Sequence, residues 1–301
     1  MITDKETNRV YFSKRIQWRK IWKDTVAPRL IKARVTPVYL EATKDIWVRD
    51  FMPIQISENQ FVTYQYNPDY LQEEKYQHLK SDWESVYRSS KDLLPDMQII
   101  KTDLIIDGGN VIKCGDKIIM TDKLIQENRR INKTRKEIIH ELDRVFNGAE
   151  LIFIPWNTAD EWDYCGHVDS MVRCVDNDTV LINNFCNHAG QTWLREEILD
   201  ILKGHQLQVE EMDLSATGKK YHGVNDWAYL NFLRIGNKIF MPQVSGPNQD
   251  FQEEDELAEK KLETYYPECK IFPINLLPII KANGKYGGGA FNCISWNIYC
   301  N

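Results

Sequence analysis

Apolar positions along the chain follow two spacings. Steps of three and four predict helices over residues 16–31, 70–89, 134–146, 192–203 and 253–266. Between them, apolar or alternating runs predict strands over 36–39, 46–56, 62–66, 97–100, 110–113, 118–121, 151–154, 170–175, 179–182, 227–234 and 238–242. The alternation of Ile294, Trp296, Ile298 and Tyr299 predicts one more. Turn residues join three pairs as hairpins, at Cys114-Gly115-Asp116, Asp176-Asn177-Asp178 and Gly236-Asn237. These turns recur roughly every 60 residues, and five helices over 301 residues give the same period. The pattern predicts an α/β fold: about five strand–strand–helix–strand units in one domain spanning residues 1–301. Units set around an axis leave a central channel with the loops of each unit facing it. The hairpins count against an all-parallel sheet.

Composition narrows the function classes. With 43% hydrophobic residues the chain can bury a sizeable core, and the net charge of −6 opposes a nucleic-acid footprint. That sign suits a small cationic substrate. Seven cysteines, odd in number and without a CxxC pair, point to reduced thiols in a cytoplasmic protein. The first ten residues lack the apolar core of a signal peptide, and no run of about 18 apolar residues predicts a membrane span. Self-association into a homo-oligomer stays open.

Polar clusters interrupt the apolar pattern at five places. In GKYGGGAFNC (284–293), glycines that include Gly288 and Gly289 let the backbone bend tightly before Asn292 and Cys293. Cys293 is either a nucleophile where a loop meets a strand or a small buried hydrophobe. Within the apolar run 46–56, Asp50 points into a pocket beside the aromatic wall of Trp47, or else closes an ion pair with Arg49. The DGGN run from Asp107 to Asn110 is a tight turn whose glycines also allow a channel-facing loop to pass close to a ligand. His167 and Asp169 are two apart, so on a strand both face one side: a general acid/base beside a carboxylate. A zinc site using Cys165 and His167 lacks a completing Cys/His spacing, and no metal is expected. Asn231, in YLNF, either meets a ligand or is a satisfied buried amide.

A thiol, an imidazole and two carboxylates suit a planar cation. Each carboxylate can take two parallel N–H bonds from a guanidinium, which holds the central carbon for attack by sulfur. The bound cation also favours the thiolate. DIWVRDFMP, DGGN, GHVD, YLNF and GGGAFNC, in that order, resemble the agmatine deiminase and bacterial peptidylarginine deiminase family of the guanidine-modifying (pentein) superfamily. The resemblance runs from about Asp45 to the C-terminus.

The resemblance implies a five-bladed α/β propeller. It implies that Cys293 attacks the guanidinium carbon, that His167 protonates the departing ammonia, and that His167 then activates water to hydrolyse the thiouronium intermediate to a ureido product. It further implies that Asp50 and Asp169 hold the guanidinium, that Trp47 and Asn231 line the pocket, and that no metal or organic cofactor is required. Three positions depart from the family pattern: Asn292 replaces a histidine, Met52 replaces a glycine, and DEWDYCGHVD replaces a form like DTDGHVD. They flank the far end of the substrate. Acidic Glu73, Glu74, Asp160, Glu161 and Asp163 lean toward agmatine, whose distal group is an ammonium. Lys75 and Arg234 are the candidate partners for the carboxylate of arginine or peptidylarginine. A catalytically idle guanidino-binding protein is the alternative in a second class.

Overall fold

The computed structural model describes residues 1–156, 165–183, 192–217, 226–246, 251–281 and 289–301. Fifteen strands among these form five three-stranded sheets. In the first, β3 (Ile54–Gln55) pairs antiparallel with β4 (Gln60–Gln65), which pairs parallel with β5 (Gln98–Ile105). The same order recurs in β6 (Ile112–Cys114), β7 (Lys117–Thr121) and β8 (Glu150–Ile154). It recurs again in β9 (Val172–Cys174), β10 (Thr179–Asn183) and β11 (Gln208–Met212), and in β12 (Leu233–Ile235), β13 (Lys238–Gln243) and β14 (Lys270–Asn275). The fifth sheet joins the two ends of the chain. There β15 (Ser295–Ile298) lies antiparallel to β1 (Arg9–Ser13), with Tyr11 opposite Trp296, and β1 lies parallel to β2 (Pro37–Leu40). This is the five-bladed α/β propeller.

Each parallel step needs a crossover, and the crossovers carry the helices. The helix Arg135–Val145 starts at a capping box in which Thr134 and Glu137 satisfy each other's backbone amides. Its stripe of Ile138, Leu142 and Val145 is fully buried. The helices Thr192–Gly204 and Gln252–Tyr265 cover the next two blades and lie where the apolar spacing predicts them. Among the described residues no helix is long and apolar enough to cross a membrane.

Two predicted helices are corrected. Residues 16–31 break into a 3₁₀ segment Lys14–Trp18, a π segment Trp22–Val26 and a short helix Ala27–Lys32. Residues 70–89 break into Asp69–Leu71, Glu74–Gln77 and Trp83–Ser89, because the polar stretch 72–78 offers no apolar stripe to bury. β1, β11 and β14 were not legible from alternation. All three predicted hairpins are present.

The predicted strands 46–56, 110–113, 170–175 and 227–234 share one correction. Each begins with a buried helical turn and only then becomes a strand. The turns are Val48–Phe51, Gly108–Asn110, Val168–Ser170 and Asp226–Leu230. A turn buried on all sides is as apolar as a strand, so composition cannot separate them. At the first turn the hydroxyl of Tyr64 donates to the carbonyls of Asp50 and Met52, both at 2.9 Å, in place of a ladder partner.

Candidate active site

The turn before the inner strand of each blade delivers one part of the site. Asp50 comes from the turn before β3, Asp107 from that before β6, and His167 and Asp169 from that before β9. Asn231 precedes β12, and Cys293 sits in the turn 291–294 before β15. Five equivalent positions in five blades meet at one end of the channel.

His167 lies between carboxylates. Its Nε2 is 2.9 Å from Oδ2 of Asp107, and its Nδ1 is 3.7 Å from Oδ1 of Asp50. Asp50 accepts the amide N–H of Gly109 at 3.2 Å. A side chain on Gly109 would put its Cβ 2.7 Å from both Asp50 Oδ1 and His167 Nδ1, so this position needs glycine for space. Tyr70 donates its hydroxyl to Asp107 Oδ2 at 3.0 Å and sets its ring edge toward the imidazole. The thiol of Cys293 is 3.5 Å from Oδ2 of Asp169, and the side-chain amide of Asn292 donates to that same oxygen at 2.7 Å.

Asn231 braces the cysteine loop. Its Oδ1 accepts the amide N–H groups of Ala290 and Cys293, and its carbonyl accepts that of Asn292. Gly289 packs so tightly that an added Cβ would lie 2.4 Å from Cys293 Cβ and 2.8 Å from Cζ3 of Trp47. Arg49 turns away from Asp50: its guanidinium bonds Oδ1 of Asn297 and the carbonyl of Asn292.

The structure thus brings together Asp50, His167, Asp169, Cys293, Trp47, Gly289 and Asn292 around one point. Their local geometry corrects the prediction in one respect. His167 and Asp169 are not neighbours on a strand face; His167 caps the 3₁₀ turn that contains Asp169. Asp50 and Asn231 likewise leave helical turns rather than strands. Asp107, expected at a ligand, is hydrogen-bonded to the imidazole of His167. Gly288, Asp160, Glu161 and Asp163 lie outside the described residues. Glu73 and Glu74 are exposed, and Glu73 pairs with Lys75 at 2.8 Å, so none of these three lines the site. Arg234 lies elsewhere, on Glu268. Tyr70 was missed, since nothing in its polar surroundings marks it.

Electrostatics follow from burial and from the carboxylates. Burial raises Asp50 to about 7; Asp107 and Asp169 add to this, while the charge of His167 and the Gly109 N–H oppose it. Burial alone would lower His167, but the charge of Asp50, the hydrogen bond and charge of Asp107, and the charge of Asp169 outweigh it and carry the imidazole to about 10. Burial and then the charges of Asp169 and Asp50 push the Cys293 thiol well above its ordinary range. The protein without ligand therefore holds a protonated imidazole and a protonated thiol inside an acidic ring.

The fold recurs in solved structures. Agmatine deiminase of Enterococcus faecalis superposes with a TM-score of 0.68 at 17% identity, covering 100% of this chain and 95% of that one. The substrate-bound agmatine deiminase of C. jejuni gives 0.71 at 16%, covering 99% and 95%. In sequence, a putative agmatine deiminase of Mycoplasma capricolum is 23% identical over 228 residues, 67% of this chain and 59% of that protein. The chain spans under three-fifths of the length of the first curated relatives it matches. A family model described as Porphyromonas-type peptidyl-arginine deiminase matches residues 2–298, nearly the whole chain. The propeller, the five turns and that match agree, and the chain belongs to the Porphyromonas-type peptidyl-arginine deiminase family.

Proposed function

We propose that this protein is a guanidine deiminase, and that agmatine is its substrate. One observation carries the reading: Asp50, Asp107 and Asp169 are all buried beside the Cys293 thiol and the His167 imidazole. Three buried carboxylates around one imidazole leave negative charge unmatched, which a guanidinium neutralises.

Binding supplies the activation. A guanidinium between Asp50 and Asp169 cancels the charges that, together with burial, hold the thiol protonated, so the thiol releases its proton to solvent and stands as thiolate next to the electrophile. Sulfur adds to the guanidinium carbon. The imidazolium of His167 gives its proton to the departing nitrogen, which leaves as ammonia. The S-alkylthiouronium carbon then takes water, deprotonated by His167, and the C–S bond breaks to give the ureido product and free thiol. Asp107 and Tyr70 fix the ring that makes both transfers.

The substrate choice rests on the two cations that the sequence offers for a distal carboxylate. A carboxylate-bearing substrate requires an Arg or Lys at its far end. Lys75 is exposed and paired with Glu73, and Arg234 is paired with Glu268. The relatives named agmatine deiminase support the same choice. The test is a ureido-product assay on agmatine, arginine and a peptide ending in arginine. Agmatine is expected to give the highest kcat/KM by roughly ten- to hundredfold, the scale of a lost charged contact. Preference for the peptide would overturn the substrate, and no turnover of any of the three would overturn the deiminase reading.

A further inference from the structure

The channel has a second charged end. Lys113, Arg173 and Arg234 are the middle residues of β6, β9 and β12, so their side chains leave equivalent faces of their sheets. Arg49 reaches the same place from the turn before β3. Together with residues 3–6 and the hairpin turn that follows β9, they line a cavity of about 560 Å³. The active-site turns precede the inner strands, whereas this cavity meets the turn that follows one of them. It therefore opens at the opposite end of the blades from Cys293 and reaches inward to Arg49 and Asn292, the neighbours of Asp50 and Cys293.

The inner cations there are only partly paired. Asp4 accepts from Arg173 at 2.6 Å, and Glu268 accepts from Arg234 at 2.9 Å. The ammonium of Lys113 donates to a backbone carbonyl, that of Gln55, at 2.8 Å. Arg49 bonds the neutral oxygens of Asn297 and Asn292. Two of these four cations are thus paired with carboxylates, and Lys113 and Arg49 are bonded to neutral oxygens. The other charged residues of the lining, Lys5, Glu6, Asp176 and Asp178, are exposed. Arg173 is 2% exposed, and its Nη1 has no hydrogen-bond partner among the described residues. A buried guanidinium with an unmet donor calls for an acceptor.

Asp4 shows what such a cluster takes. It is an oxyanion of the chain itself, held by Arg173 and by the Asn297 amide at 3.0 Å. Burial disfavours its charge, but Arg173, Arg49 and Lys113 together overcome this and lower its pKa. The unmatched donors beside it have the same chemistry and more room, in a volume that suits a small molecule.

We propose that this basal cavity is a binding site for a small multivalent oxyanion, a phosphate or a dicarboxylate, separate from the guanidinium site. Arginine forks and a buried ammonium are the usual means of holding such groups. The site does not depend on deiminase chemistry, so it is tested in a Cys293→Ala chain that cannot turn over.

Inorganic phosphate and succinate are titrated calorimetrically into that chain near pH 7, with chloride holding the ionic strength. Lys113, which burial brings down to about 8, is still charged there. Saturable binding of at least one anion is expected, half-saturating below about 10 mM, with a matching rise in the unfolding midpoint. The two arms tell phosphate from carboxylate. Arg173→Gln and Lys113→Gln, added singly, are each expected to weaken binding at least tenfold. Arg173→Gln also removes the Asp4 pair; if that variant does not fold, Lys113→Gln decides alone. No saturable binding of either anion above the chloride blank overturns the proposal, as does unchanged affinity in the folded variants.

Discussion

Asn292 donates its side-chain amide to Oδ2 of Asp169 at 2.7 Å, and that oxygen is also the one 3.5 Å from the sulfur of Cys293. The residue next to Cys293 thus fixes the carboxylate that faces the thiol. Asn292 is 3% exposed and Asp169 1%, so water does not replace the bond if it is lost.

Asn292→Ala should therefore cost about 1.5–3 kcal/mol of transition-state stabilisation, the range for a bond to a charged group. That is roughly a ten- to hundredfold loss of kcat/KM on agmatine. Asn292→Asp sets a second carboxylate against Asp169 and should lose more. Steady-state kinetics of the two variants decide; equal activity in Asn292→Asp and the parent would show that the bond has no part in holding Asp169.

Gly289→Ala should damage catalysis more than folding. The new Cβ would fall 2.4 Å from Cys293 Cβ and 2.7 Å from its sulfur, so the nucleophile must shift. A displacement of about 1 Å at the reacting atom lowers kcat by roughly hundredfold. The check pairs kcat with the unfolding midpoint. Unchanged kcat would mean the loop moves without carrying Cys293.

Much of this site was legible because its chemistry is unusual in an apolar chain. Asp50, His167, Asp169 and Cys293 each interrupt a hydrophobic run, and burying them without a partner would be costly. Their backbone was not legible: the runs that hold Asp50 and Asn231 read as strands and are turns. Nor was Tyr70, whose side chain reaches Asp107 across 37 positions from a polar stretch that resembles surface. Glu73 and Glu74 show the opposite error, since acidic residues near a motif are usually solvated. The three hairpins were found because their turn residues have a local cause, whereas β1 was not, because its antiparallel partner, β15, lies at the other end of the chain.

Asp107→Asn should move the pH profile. The Asp107 hydrogen bond and charge help to raise His167, so removing the charge lowers the imidazole pKa. The alkaline limb of kcat should shift to lower pH, with kcat at neutral pH falling by about tenfold or more. Asp107→Glu keeps the charge and should keep the limb. A merely structural role would lower activity evenly at all pH values.

The thiol should respond to the charge of the electrophile it meets. Burial with Asp169 and Asp50 keeps Cys293 protonated when no cation is present, so a neutral haloacetamide should react slowly. An amidinium analogue with the same leaving group brings its own positive charge between the carboxylates. Its inactivation rate should exceed that of the neutral reagent by at least about tenfold, the equivalent of one pKa unit. Agmatine should protect against the amidinium. Equal rates for the two reagents would count against activation by the bound cation.

The pH dependence of binding follows from Asp50, raised to about 7 in the folded protein. The unfolded value is about 3.9, so the fold binds this proton more tightly, and its contribution is lost as pH rises through about 7. His167 acts in the same direction: its contribution is complete below its unfolded value of about 6.5 and is lost as pH rises through about 10. Both groups therefore favour the ligand-free fold at the acid end. A guanidinium reverses the preference at Asp50, because it pairs with the ionised carboxylate. KM for agmatine should accordingly rise as pH falls below about 7, approaching tenfold per pH unit if one proton is released on binding. The rise in unfolding midpoint given by agmatine to a Cys293→Ala chain should shrink over the same range. A KM and a midpoint rise that stay flat between pH 8 and 6 would remove Asp50 from the guanidinium clamp.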